Sequence, residues 1–512
     1  MATKSIVEKI ARNASVVAGA TLLSRVLGFL RDVIIAFALG AGPLGDAFFV
    51  AFRIPNLLRR LFAEGSLTMA FVPVFTRTRL EQGLSPAFTL ARSTRLWLLL
   101  VLGLITLIVL PAAGPLTYLI APGLSRHAPT FELTVSLVRI CFPYIIFISL
   151  VALCMGILNS LDHFLAPALA PCILNLVLIS SALYAVGTGS SVPFALAVGV
   201  LIAGFGQYLL QLPFLKKQGF SWKGPAPVNN QNLKKVAWLM LPSVVGAAVY
   251  QLNIVLNTIL ASFLAQGSIS FLYYADRLVQ FPLGIFGVAI STAALPGLAG
   301  LAASGKKREF LSTLDQTISL TLFISLPATA GLIGLNDPLV QTLFSRGAFG
   351  LQAAQGTSLA LIGYSLGLPA FCSIRSMVSA FYAQEDTRTP VKIAIVCLLL
   401  NLCLGLLLMQ PLAHTGLALA VSLSSWTNVV LLGLCLRRKS GTWFSWDKNI
   451  LIMILSSLVI GGGSFLTADW GWAALLLIPA WAGLYYLIAS CFQLPETRMI
   501  TRMIGSLAGR RP

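Results

Sequence analysis

The stretch from Arg25 to Glu64 concentrates the side chains most able to do chemistry. It holds Arg25, Arg31, Arg53, Arg59 and Arg60 against Asp32, Asp46 and Glu64, in a background apolar enough to lie mostly within a bilayer. A charged side chain at bilayer depth costs roughly 2.5 to 3.5 kcal/mol on insertion scales, so these arginines are expected to line a water-filled cavity rather than face lipid. Five cations against three acids leave a surplus, and Arg277 beside Asp276 adds a further cation later in the chain. Guanidinium groups grip phosphate oxygens in pairs, so the chemistry that fits this pattern is capture of a multivalent anion such as a diphosphate.

Helical spacing sorts these residues into faces. Asp46, Arg53 and Arg60 recur every seven residues, with Asn56 and Glu64 at helical offsets, which puts all five on one side of a second span. On the first span Ser24 and Arg31 share one face and Arg25 and Asp32 another, leaving Arg25 and Arg31 about 120° apart. Arg59 and Arg60 stand near the inner end of their span, where snorkelling to the interface competes with a place in a cavity. Arg139 and Arg375 are alone on their spans and read as structural.

Other chemistries are poorly served. There is no GxxxxGK[ST] loop to cradle ATP. His127, His163 and His414 fall in separate loops without an HExxH or any metal-ligand spacing, so no metal and no cofactor is expected. A membrane-embedded enzyme built on carboxylates would need an acidic balance, and the balance here is cationic.

The elements that must position these residues follow from composition. With 57% hydrophobic and 10% charged residues over 512 positions, the chain reads as an all-α polytopic membrane protein. Apolar runs mark fourteen spans. Six lie at 15–39, 46–75, 96–120, 134–159, 165–186 and 192–215, and after a basic linker at 216–235 six more lie at 236–263, 271–298, 311–335, 358–383, 391–409 and 415–436. A last pair lies at 450–467 and 472–491. The first run is too long for a signal-peptide core and reads as an uncleaved span. The eight cysteines all fall in apolar runs without a CxxC pair and read as small buried hydrophobes.

With both termini on the cytoplasmic side, 25 of the 35 lysines and arginines fall in cytoplasmic segments, two in outer loops and eight within spans. The net charge of +19 is therefore topogenic, and no nucleic-acid partner is expected.

A repeat supports two lobes. Arg53 and Arg277 are 224 residues apart, Pro73 and Pro296 are 223, Pro143 and Pro369 are 226, Asp162 and Asp386 are 224, and Pro167 and Pro390 are 223. Six spans per copy make the copies run in the same sense, which predicts lobes related by an axis along the membrane normal, as in alternating-access transporters. Prolines at 55, 73, 143, 282 and 369 mark expected kinks. The expected division is 1–220 for the first lobe, 221–445 for the second, and 446–512 for two extra helices and a basic tail. Shifting Arg25 and Arg31 by the repeat gives Val249 and Val255, so the binding charge is concentrated in the first lobe.

The runs SRVLGFLRD, GDAFFVAFRIPNLLRRLFAEGSLTMAFVPVF and YYADRLVQFPLGIFGVAISTAALP resemble the MurJ (MviN) lipid II flippases of the multidrug/oligosaccharidyl-lipid/polysaccharide exporter superfamily. The resemblance covers nearly the whole chain. It implies export of a disaccharide-pentapeptide on a polyprenyl diphosphate from the inner to the outer leaflet of the bacterial cytoplasmic (inner) membrane, with cell-wall synthesis enzymes as further partners. It also implies that Arg25, Arg31, Arg59 and Arg277 are the cationic cavity residues, with Asp32, Asp46 and Glu64 as acidic members. The last two helices would border a groove for the lipid tail. Driven by membrane potential, the anion would move outward. Export of another polyprenyl-linked glycan on the same fold, or a non-transporting cell-wall scaffold, are the competing expectations.

Overall fold

The computed structural model describes residues 2–60, 66–227, 231–440, 448–499 and 501, and their side chains except those of 2–16, 241–250 and 439–440. Glu64, assigned above to the cavity, lies outside the described residues, as does most of the basic C-terminal tail. Among the described residues every regular element is helical. The chain divides into two compact units, residues 1–269 with 347–349, and residues 270–346 with 350–512.

Ten α-helices build the first unit: α1 (Ala2–Leu39), α2 (Pro43–Leu58), α3 (Thr68–Gln82), α4 (Leu84–Val109), α5 (Ala113–Ile120), α6 (Ala128–Cys141), α7 (Tyr144–Ser160), α8 (Leu165–Thr188), α9 (Val192–Lys217) and α10 (Gln231–Ser262). α8 packs between α1 and α9, and α7 packs on α9 and α3. Phe48, Phe71, Phe75 and Tyr144 are the large, fully buried side chains at its centre. Gly204 lets α9 approach the Tyr144 ring, since a Cβ there would stand 2.7 Å from it.

Two apolar runs break near a proline, which lacks the N–H and crowds the preceding turn, whereas α8 and α13 run on through Pro171 and Pro327. The run 46–75 becomes α2 and α3, and the backbone at Arg59–Arg60 and again at Ser66–Leu67 is wound as a wider π-turn downstream of Pro55. The run 134–159 breaks at Phe142–Pro143.

On the cytoplasmic side of the reading above, the chain leaving α9 folds back on α4. Arg95 stands 4.5 Å from the Trp222 ring centre and Arg92 5.9 Å from that of Phe220, while Arg92 Nε donates to the Ser221 carbonyl at 2.8 Å. α4 therefore begins twelve residues before the span marked at Leu96, its two arginines being covered by aromatic rings.

At the far end of α1, the Ala348 N–H donates to the Phe37 carbonyl at 2.9 Å. Two glycines permit this. A Cβ on Gly40 (φ +71°) would lie 2.4 Å from the Ala348 oxygen, and one on Gly347 (φ +59°) 2.5 Å from the Phe37 oxygen.

The second unit contains α11 (Ser268–Pro282), a π-wound segment at Leu283–Gly287, α12 (Val288–Ala303), α13 (Lys307–Gly334), α14 (Asn336–Phe344), α15 (Leu351–Ser365), α16 (Leu368–Ala383), α17 (Arg388–Ser440), α18 (Lys448–Thr467), α19 (Trp472–Leu475) and α20 (Ile478–Cys491). Its core joins Leu314, Phe323, Met377, Phe381, Leu432 and Met453 with Tyr485 of α20. α18 packs along α13, close enough that a Cβ on Gly334 would meet the Gly461 carbonyl at 2.8 Å.

Turn geometry recurs along the chain with the sequence repeat. α7 ends with Asp162 at φ 59° and the His163 N–H bonded to Leu158, and α16 ends with Glu385 at φ 59° and the Asp386 N–H bonded to Phe381. Positive-φ glycines, Gly83 and Gly305, separate α3 from α4 and α12 from α13.

Among the described residues eight helices are long and apolar enough to cross a membrane, or nine if α15 and α16, bent by 42°, count as one span. One of the eight, Arg388–Arg438, runs 51 residues, and its backbone breaks at Ala413 (φ 47°, ψ −130°). At about 1.5 Å per residue it would exceed twice a ~30 Å hydrocarbon core if unbroken. Exposed surface on α4 carries Leu100, Leu104, Leu107 and Ile108, as a lipid-facing helix requires. All eight cysteines are free, and five are buried. Cys403 and Cys491 are instead exposed, which a weakly polar thiol tolerates against lipid.

Candidate functional site

Arg31 is the most closely held of the first unit's candidate residues. Its Nε and Nη2 donate to Oδ1 of Asp32 at 3.0 and 2.7 Å, and its Nη1 donates to Oδ1 of Asn175 at 3.0 Å. Side-chain exposures of 12% for Arg31 and 5% for Asp32 make this a largely desolvated ion pair, where charge-assisted hydrogen bonds are strong and fix geometry. Asn175 stands on α8 and is itself buried. Its Nδ2 donates to the Ser24 carbonyl at 3.0 Å, so this residue of another helix bridges the Ser24 backbone and the Arg31 side chain.

On α2, Arg53 Nη1 donates to the Thr258 hydroxyl of α10, and that hydroxyl in turn donates a hydrogen bond to the Ile254 carbonyl at 2.7 Å. Arg59 Nε donates to Oδ1 of Asn56 at 2.9 Å. Asp46, 2% exposed in the first turn of α2, accepts from the Gly267 N–H at 2.6 Å. That carboxylate ties the first turn of α2 to the segment after α10, and an acid in the first turn suits the positive end of the helix dipole. Arg60 is half-buried, and Arg25 is exposed on α1.

The second unit, taken by itself, carries Arg277 on α11 with its guanidinium 4.8 Å from the Tyr273 ring centre, a cation–π contact. Oδ1 of Asp276 accepts from Gln280 Nε2 at 3.3 Å. No cluster of metal-binding side chains occurs among the described residues.

The residues that spacing alone passed over are Asn175, Thr258 and Gly267. Asn175 was the findable one: it is the lone carboxamide in the run 165–186, and a polar group inside a span needs a partner. Chemically, the first unit offers oriented guanidiniums on membrane-embedded helices, with more arginines than acids in 25–64. Such a site suits a phosphate-bearing headgroup.

Comparison with known proteins agrees with this chemistry. A family model described as "Lipid II flippase MurJ" matches residues 35–488. A probable lipid II flippase MurJ of Rhizobium tropici is 38% identical over 97% of this chain and 96% of that protein. A lipid II flippase MurJ of Burkholderia cenocepacia is 36% identical, over 87% of this chain and 88% of its own length. Among solved structures, a lipid II flippase MurJ in an inward closed conformation superposes with a TM-score of 0.79 at 28% identity, over 93% of this chain and 98% of that one. An inward-facing multidrug-resistance MATE transporter shares the fold at a TM-score of 0.70 and 15% identity.

Proposed function

The chain belongs to the MurJ family of lipid II flippases, and on that premise we propose how its own residues handle the lipid. It is a transporter of the bacterial cytoplasmic membrane, not an enzyme, and lipid II is its cargo. Arg25, Arg31 and Arg59 of the first unit, with Arg277 as a further cation, bind the diphosphate, while the polyprenyl chain stays in lipid. Asp32, Asp46, Asp276 and Glu64 tune the charge, and Ser24, Arg53, Asn56 and Arg60 complete the lining. Fourteen spans form two six-helix lobes and a C-terminal pair, with both termini cytoplasmic. The repeated turns at Asp162 and Glu385 and the basic inner loops support this topology.

Export proceeds by alternating access. An inward-open cavity takes the headgroup, the lobes rock, and ion-pair exchange around the arginines weakens the grip on the outer side. An inside-negative potential favours outward movement of the anion by about 2.3 kcal/mol per charge per 100 mV.

The observation that carries the proposal is Arg31, a desolvated guanidinium fixed by Asp32 and Asn175 within a membrane helix. It is tested in cells that depend on this protein alone, by measuring how much lipid-linked precursor a hydrolase added outside can cleave. Arg25→Ala, Arg59→Ala and Arg277→Ala, at matched expression, should each lower cleavage about 10- to 100-fold, as loss of one or two charge-assisted hydrogen bonds implies. Unchanged cleavage in all three would remove the arginines from the transport path.

A further inference from the structure

We infer that Asn175 is a positioning residue for the anion-binding guanidinium of Arg31 and thereby sets the protein's preference for a diphosphate over a monophosphate headgroup. This rests on the assignment of Arg31 to the binding site above.

The geometry has three parts. Ser24, Gly28 and Arg31 follow one another along a single face of α1, and the Asn175 carboxamide lies over that face, with the Cβ position of Gly28 at 3.5 Å from Nδ2. Its two ends do different things. Nδ2 anchors the carboxamide to the α1 backbone at Ser24, and Oδ1, thereby oriented, accepts from Arg31 Nη1. The third part is the division of the guanidinium. Asp32 occupies Nε and Nη2 along one edge, through a single oxygen, and Asn175 holds the other terminal nitrogen.

A long arginine side chain held at one edge alone can still swing about its last torsions, whereas a second contact on Nη1 fixes the plane. Asn175 does this without adding charge. A carboxylate in its place could accept from Arg31, but it would have no N–H for the Ser24 carbonyl and would cancel part of the field that attracts the ligand. Burial of Asn175 at 4% exposure removes water as a competitor for both contacts. Orientation of the guanidinium plane matters most for a ligand with two phosphates, because the second phosphate is reached only by a donor pair aimed in a set direction.

The test uses the purified full-length protein in lipid nanodiscs, with polyprenyl diphosphate and polyprenyl monophosphate as probes, the affinity ratio being the readout. Asn175→Leu should lower the preference for the diphosphate about tenfold, to the level of Arg31→Leu, and the double variant should fall no further. Asn175→Asp, which keeps an acceptor for Arg31 but has no N–H for the Ser24 carbonyl, should also lose the preference, through charge cancellation and loss of that anchor. Equal weakening of both probes by Asn175→Leu would show a structural role only and overturn the inference. So would an unchanged ratio in Asn175→Asp. Unchanged affinity for both probes in Arg31→Leu would overturn the binding-site assignment itself, a result distinguishable because it does not involve Asn175.

Discussion

Two π-wound segments sit 224 residues apart, at Arg59–Arg60 and at Leu283–Gly287, each downstream of a proline, Pro55 and Pro282. The backbone irregularity is the same, and its contents are opposite. The first presents two half-buried arginines, one bonded to Asn56, while the second presents Leu283 at 4% exposure and a glycine packed on Cys372. A π-turn costs hydrogen-bond quality and is kept where it re-aims side chains or lets a helix bend. Its presence in both copies argues that the bend belongs to the ancestral repeat, and the arginines to specialisation of the first copy.

The largest effect should come from forcing the second segment to resemble the first. Leu283→Arg buries a charge in the apolar interior of its unit and should destabilise the protein by roughly 3 kcal/mol, read as a lowered unfolding midpoint in detergent. Parent-like stability would mean that this segment meets water as the first does, and the contrast would dissolve. Gly287→Ala probes the packing of the same segment. Its Cβ would meet Cys372 Sγ at 2.9 Å and Leu283 Cδ1 at 3.1 Å, so a loss of about 1 to 3 kcal/mol is expected by the same measurement.

A smaller contrast lies in the two equivalent turns. Asp386 caps α17 through the Thr389 N–H and hydroxyl, at 3.0 and 2.7 Å, and Asp386→Ala should cost about 1 kcal/mol. The other turn carries His163, stacked 4.9 Å from Phe214, with burial and the nearby Lys217 holding its pKa below the ordinary 6.5. Because the folded protein disfavours the charged ring, stability contributed here is complete above pH 6.5 and falls as pH drops below it. The smallest expected effect is thus a midpoint that declines slightly on mild acidification in the parent and less in His163→Phe.

These contrasts also show what the sequence could and could not reveal. The all-helical, membrane-spanning class is legible, because bilayer thickness acts on every residue of an apolar run, and so is a repeat of about 224 residues, which the π-wound segments share. Helix ends are harder to read, because a helix need not stop where its apolar run does: α4 starts at Leu84, twelve residues before the run marked at Leu96, with aromatic rings from the α9 exit covering Arg92 and Arg95. Breaks inside runs, as at Phe142–Pro143 and Ala413, depend on which prolines a neighbouring helix accommodates, and only the packing decides that. At the site, spacing gave the face of each arginine but not its partners. Arg31 turns to its own neighbour Asp32 and to Asn175, a residue 144 positions away.

The closure at the end of α1 has a genetic consequence. Phe37 and Ala348 meet through main-chain atoms, and the two residues that allow it, Gly40 and Gly347, have no side chain to lose. A scan that trims side chains would report this junction as inert, while the smallest enlargement at either glycine would wedge it apart. Surveys of tolerated change in this protein will therefore find the junction only among substitutions that add atoms, and its silence in a truncation series says nothing about its importance.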